Sequence, residues 1–316
     1  MQCSIVVRAY SEEKHLGRLL EGISRQSIKD VEVILVDSGS TDSTVEIATS
    51  CGAKIVHIPP DEFTFGRSLN LGIEAASNPI IVIASAHIYP VYPDWPEHLL
   101  DPFTDHKVAL AYGKQSGGET TKFSGHQIFA QWFPGHSDPR QAHPFCNNAN
   151  AEIRRVVWKR HPFDETLTGL EDVAWANWAL HEGCALPYVA EAEIVHVHDE
   201  TPHGVYNRYR REAMAFKRVF PNEHFGLWNF TRLVIGNIAN DLRHALQSRS
   251  SAGNFLSIFW FRWMQFWGTY QGYRQSGPLT WQLRQTFYYP RGVGVATHSR
   301  SRGVEPIRYN GTESDP

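Results

Sequence analysis

Apolar positions along the first ninety residues alternate between two periods. Short runs rich in Val and Ile occupy residues 3–10, 31–37, 54–58 and 79–84, and each reads as a buried strand. Between the first two, Leu16, Leu19, Leu20 and Ile23 recur at helical spacing behind Ser11, a candidate cap. Further helices are predicted over 45–51 and 66–76. Strands alternating with helices at this spacing predict βαβ units and a parallel sheet. Right-handed crossovers then gather the strand ends on one edge.

The fourth run is the most informative. Pro79-Ile80-Ile81-Val82-Ile83-Ala84-Ser85-Ala86-His87-Ile88-Tyr89-Pro90 is apolar until Ser85-Ala86-His87. Open α/β sheets bind ligands just beyond such strand ends. The tripeptide is therefore either a ligand-facing element or a polar strand end that satisfies a loop. Asp37 and Asp42 stand at the end of the second strand, where a carboxylate can bind ribose hydroxyls or a base edge. No Gly-x-Gly-x-x-Gly follows the first strand, which disfavours a dinucleotide fold. The absence of Gly-x-x-x-x-Gly-Lys-Ser/Thr excludes a P-loop.

Later segments are less regular. Residues 193–198 read as a strand with His196 and His198 on one face. Residues 169–175 open a helix whose first turn holds Glu171 and Asp172, either dipole partners or reacting groups. Residues 117–143 are irregular and aromatic, long for a loop, and are expected to form a functional flap. Residues 206–211 start a basic helix. Residues 255–273 are expected to form an aromatic helix, either packed on the preceding α/β domain or lying in a membrane interface.

Composition narrows the picture. With 316 residues, 42% of them hydrophobic, the chain fits one large or two small domains. Its four cysteines are scattered without metal spacing and read as reduced thiols. No leader is evident at Met1 and no spanning helix is expected, and with the reduced thiols a cytoplasmic place is expected; the aromatic helix adds the expectation of peripheral contact with a membrane. The net charge of −3 hides an asymmetry. Residues 205–303 hold fourteen Lys/Arg against three Asp/Glu, whereas residues 1–204 hold fifteen against twenty-seven. A basic aromatic segment suggests an anionic surface or ligand. It matches no nucleic-acid module, and no nucleic-acid partner is expected.

Ser4-Ile5-Val6-Val7-Arg8-Ala9-Tyr10 with Glu13, followed by Val36-Asp37-Ser38-Gly39-Ser40-Thr41-Asp42-Ser43-Thr44, resembles the opening of the family 2 glycosyltransferases, which have the GT-A fold. Phe65-Gly66-Arg67-Ser68-Leu69-Asn70-Leu71-Gly72 resembles an element of its rhamnosyltransferase-like members, with Leu69 in place of Arg. The resemblance spans roughly residues 2–200. It implies nucleotide contacts from Arg8, Ala9, Asp37, Asp42, Arg67, Asn70, Ser85 and Ala86. It also implies Asp172 as catalytic base with Glu171 beside it, and donor or acceptor contacts from Asn148 and Asn150; outside the resemblance, Arg208 on the basic helix either reaches the donor diphosphate or faces solvent.

The family's Asp-x-Asp metal motif is replaced here by Ser85-Ala86-His87. Three readings follow. His87 and His198 ligate a divalent metal, Mn²⁺ before Mg²⁺ because imidazole suits transition metals. Alternatively, His87 bonds the diphosphate without metal, or the site is inactive. The resemblance implies an α/β GT-A domain over 1–204; charge and composition add a basic aromatic helical extension over 205–302 and a disordered tail over 303–316. The implied activity is inverting transfer from a UDP- or dTDP-sugar to a glycan or lipid-linked glycan in cell-surface polysaccharide synthesis. The rivals are a non-catalytic nucleotide- or glycan-binding protein on the same scaffold and a nucleotidyltransferase.

Overall fold

A computed structural model describes residues 2–29, 31–59, 62–248, 252–275, 304–305 and 307–309. The chain runs β1 (Cys3–Ala9), α1 (Glu13–Ser24), β2 (Glu32–Asp37), α2 (Thr44–Ser50), β3 (Lys54–His57), α3 (Phe65–Ala75), β4 (Ile80–Ser85), β5 (Ile88–Pro90) and α4 (Trp95–Leu100). It continues through β6 (Leu110–Gly117), α5 (Phe123–Trp132), β7 (Asn150–Arg154), α6 (Arg155–Trp158), α7 (Glu171–His181), β8 (Tyr188–His196), α8 (Pro202–Val219), α9 (Leu227–Gln247) and α10 (Ala252–Gln275).

The strands form one mixed sheet in the order β3-β2-β1-β4-β7-β6-β8-β5. β1 to β4 are mutually parallel, β7 is antiparallel to β4 and β6, and β5 is antiparallel to β8. Side chains alternate across the sheet. Val6, Ile34 and Ile81 meet Leu69 and Ile73 of α3 on one face. Ile5, Leu35 and Val82 meet Leu16 and Leu19 of α1 on the other. Gly72 lets α3 lie flush on the sheet, since a Cβ there would come within 2.4 Å of Val6 and 2.8 Å of Val36.

Three expectations change. Ser11 does not cap α1 through its side chain; it sits at φ 53° with its N–H on Ser40. The cap comes from Asp42, whose carboxylate accepts the Glu13 N–H at 3.1 Å across the turn. The stretch 117–143 is not a plain flap, because α5 lies within it. Ser124 donates to Asp241 at 2.6 Å, and Asp241 also takes both arms of Arg262 at 2.7 and 2.9 Å. This buried network ties α5 to α9 and α10. It also turns the Arg262 of the aromatic helix inward, so α10 packs on α8 and α9 through Phe261, Phe266 and Tyr273.

The described part of the tail is not free of structure. Ile307 donates to Val91 O at 2.9 Å, and the Tyr309 hydroxyl donates to Pro90 O at 2.5 Å, because its ring finds a seat against Tyr89 and Arg18. The rest of 303–316, like 276–302 of the expected extension, lies outside the described residues.

Candidate active site

Register alone gathers one edge of the site. Ala9 pairs with Asp37 and Arg8 with Ser85, so the ends of β1, β2 and β4 lie side by side. Asp37 is buried and accepts from the backbone N–H groups of Ser40 (3.0 Å) and Gly39 (3.3 Å), with His57 Nδ1 at 3.2 Å. Burial pushes this carboxyl up, but the Ser40 and His57 bonds outweigh it and hold it below its ordinary value. Gly39 makes the turn possible, at φ +92°. Ala9 contributes its carbonyl, which accepts the Ser38 N–H and hydroxyl. Ala86 is fully buried beneath the edge.

The edge then meets the acid pair. Arg8 Nη1 lies 3.2 Å from Glu171 Oε1, joining the end of β1 to the first turn of α7. Asn148 bridges the pair, with its N–H on Asp172 at 3.1 Å and its amide 3.5 Å from Glu171. Leu170, at φ 57°, turns the chain so that both acids point inward. Burial pushes the Asp172 carboxyl up to about 7, and the neighbouring Glu171 adds to it; the Asn148 and Val173 N–H bonds pull the other way. A carboxylate that titrates near neutrality is suited to accept a proton at working pH.

The histidines form a second cluster beyond β4. His87 Nδ1 lies 2.8 Å from Glu12, and its ring stacks on His196 at 5.0 Å. His196 and His198 approach with their Nε2 atoms 3.2 Å apart. His196 Nδ1 faces Gln115 Oε1 at 2.8 Å, and His198 Nδ1 faces Glu200 at 3.8 Å. Burial holds both rings well below the usual imidazole pKa, with like charge on neighbouring cations adding to it. Arg208 closes the cluster through Glu200 at 2.7 Å. Thus His87 and His198 are neighbours of His196 rather than a direct pair. Among the described residues, no group of three or more His, Cys, Asp or Glu side chains is arranged to hold a metal.

Other expected residues are placed in structural roles. Asn70 accepts from Trp158 and the Phe163 N–H, and donates to Phe163 O and Glu165, all at 2.9–3.0 Å. The buried Asn150 is held by Trp95, Lys114 O and Ala192 O. Asp42 caps α1 and bonds Thr44. Arg67 pairs with Glu62 and Glu165 at the surface. Sequence reading did not single out Glu12, Gln115 or Glu200, and it quoted Phe65 within a motif without giving its ring a contact. The Phe65 ring carries Arg8 and Arg211 at 5.1 and 4.6 Å, and only the basic start of α8 hinted at such a pairing.

Residues 4–159 match the family model described as Glycosyl transferase family 2. The chain carries a family 2 glycosyltransferase domain. The O-antigen chain rhamnosyltransferase RfbN of Salmonella typhimurium is 24% identical over 221 residues, 66% of this chain and 70% of that one. WbaN of Salmonella anatum, of the same description, is 27% identical over 205 residues, 58% of this chain and 62% of its own length. The mannosyltransferase PcManGT of Pyrobaculum calidifontis, solved with GDP-Man and Mn²⁺, superposes with a TM-score of 0.57 at 16% identity, over 87% of this chain and 88% of that one. The family 2 domain thus has the GT-A architecture expected from the strand pattern. Its Asp37 turn, Ser85 edge and Arg8–Glu171 bridge all lie at, or bond to, the carboxyl ends of the parallel strands.

Proposed function

We propose that this glycosyltransferase transfers a sugar, with inversion, from a UDP- or dTDP-sugar to a hydroxyl of a growing cell-surface glycan, with Asp172 as base. The Arg8–Glu171 bridge carries this reading, because it joins the acid pair to the strand edge that holds Asp37 and Ser85. In the step, the acceptor oxygen attacks the anomeric carbon and its proton passes to Asp172. The bond from that carbon to the diphosphate oxygen breaks, and the nucleoside diphosphate leaves with the electron pair. Asp172 is held by the N–H groups of Asn148 and Val173, and Glu171 beside it by Arg8 and Asn148. Asp37 offers an acceptor for ribose or base groups, and Arg208 and Arg211 lie on α8 as cations for the leaving diphosphate.

We assign any divalent transition metal to the histidine cluster, because imidazole is a suitable donor for one. The Nε2 atoms of His196 and His198 lie 3.2 Å apart, so the rings share a hydrogen bond in one tautomer and turn two imidazole nitrogens to the same point when a cation replaces that proton. His196 and His198 would hold that ion beside His87. When bound, it supplies charge neutralisation on the leaving diphosphate. The names of the curated relatives favour a deoxyhexose and an O-antigen-type acceptor. A lipid-linked acceptor would also place the enzyme against the inner face of a membrane.

The test is release of nucleoside diphosphate from a panel of UDP-, dTDP- and GDP-sugars, with Mn²⁺ or a chelator. Turnover of one donor that Asp172→Asn abolishes supports the reading. Binding without turnover of any donor would favour the non-catalytic alternative.

A further inference from the structure

Seven of the ten exposed large apolar side chains among the described residues lie on two adjacent helices, α9 and α10. On α9 they are Leu227, Trp228, Ile235 and Leu246; on α10 they are Leu256, Phe259 and Trp263. The helices touch along this region, with the Phe230 ring 5.3 Å from Trp263 and 5.7 Å from Trp267. Each helix buries one stripe and leaves the opposite one bare. On α9, Phe230, Val234, Asn237 and Asp241 face inward. Trp228, Arg232, Ile235, Arg243 and Leu246 recur at the complementary three- and four-residue spacings. Scattered exposed apolar side chains are ordinary, but concentration on one helix pair marks an interaction surface.

Charge selects the occupant. The only carboxylate in either helix is Asp241, which is fully buried on Arg262 and Ser124. The exposed charges, Arg232, Arg243 and Arg274, are all cationic. A second copy of the chain would set cation against cation across a two-fold interface. Residues 276–303 hold four arginines and no acid, so they do not complement the surface either. Exposed Trp, Leu and Phe beside arginines and no exposed carboxylate match the interface of an anionic lipid leaflet.

We propose that the outer face of the α9–α10 pair docks on an anionic phospholipid surface, with Trp228, Leu256 and Trp263 entering the headgroup region and Arg243 facing the lipid phosphates. No helix among the described residues is long and apolar enough to cross a membrane, so this contact lies in the plane of the interface. The proposal rests on the peripheral contact put forward above and names its surface and lipid chemistry. It does not depend on the transfer reaction.

The test is co-sedimentation of the full chain with vesicles of phosphatidylcholine alone and of phosphatidylcholine mixed with phosphatidylglycerol, at low and high salt. Binding should require phosphatidylglycerol and weaken with salt. It should fall about fivefold or more in Arg243→Glu and also in Trp228→Ala. Leu256→Asn, at a side chain 77% exposed, serves as a second apolar variant, and unchanged melting temperatures show that all three fold. Binding to neutral vesicles as strong as to anionic ones would overturn the proposal. So would loss of binding to neither variant type, or a salt-resistant dimer without vesicle binding. Vesicle binding by a chain that turns over no sugar nucleotide would sink the proposed activity and leave this proposal standing.

Discussion

The two halves of the site are wired differently. At the ends of β1 and β2, Asp37 and Asp42 are satisfied mainly by backbone N–H groups of their own turn or the next helix. Across the site, polar side chains are largely satisfied by one another: Arg8 by Glu171, His196 by Gln115 and His198, and Arg208 by Glu200. The first half is fixed once the chain folds. The second is a set of coupled buried groups whose proton and charge positions respond to each other. Carboxylates fixed by backbone N–H groups and coupled buried side chains are thus separated across one sheet edge.

The largest effect should come from the coupled half. Asp172→Asn should lower turnover by roughly 10²–10⁴-fold while nucleotide binding by calorimetry is kept. The same variant tests the cost of burying the charge. In the folded state Asp172 binds its proton up to about pH 7, far above its ordinary value of 3.8. Stability from the neutral form is therefore full at low pH and lost as pH rises through about 7. Asp172→Asn should melt above wild type at pH 8 and close to it at pH 4. Equal melting at both would show that the carboxyl is not desolvated.

Next in size, His198→Ala should remove any stimulation by Mn²⁺, about tenfold or more, with turnover in chelator unchanged. Stimulation that survives would place the metal elsewhere. Arg8→Met should act through the acid pair. Arg8 favours the Asp172 carboxylate, so losing this cation should move the acidic limb of the rate profile to higher pH. The rate well above that limb should recover. A uniform loss at every pH would assign Arg8 to the nucleotide instead. The smallest effect belongs to the rigid periphery. Arg67→Ala, which breaks only surface pairs with Glu62 and Glu165, should leave the melting temperature nearly unchanged and test whether Arg67 touches the nucleotide.

Much of the rigid half was legible in sequence, since strand periodicity alone puts Asp37, Ser85 and His87 at one edge. Glu171 and Asp172 were legible because an acidic first turn is a local feature. The amide bonds of Asn70 and Asn150 were not, because their partners lie about forty to ninety-five residues away in sequence. The same holds for α5, whose anchor is Ser124 on Asp241, 117 residues distant. The central place of His196 was half visible: a strand puts it beside His198, but only the return of β8 to pair with β5 brings it onto His87.

The most direct test of the central claim is the pH dependence of kcat/KM for sugar-nucleotide turnover in wild type and Asp172→Asn. The account predicts a wild-type rate that rises through an inflection near pH 7, and an Asn variant that binds nucleotide but shows no such inflection. A flat wild-type profile, or an Asn variant that turns over at the wild-type rate, would contradict it.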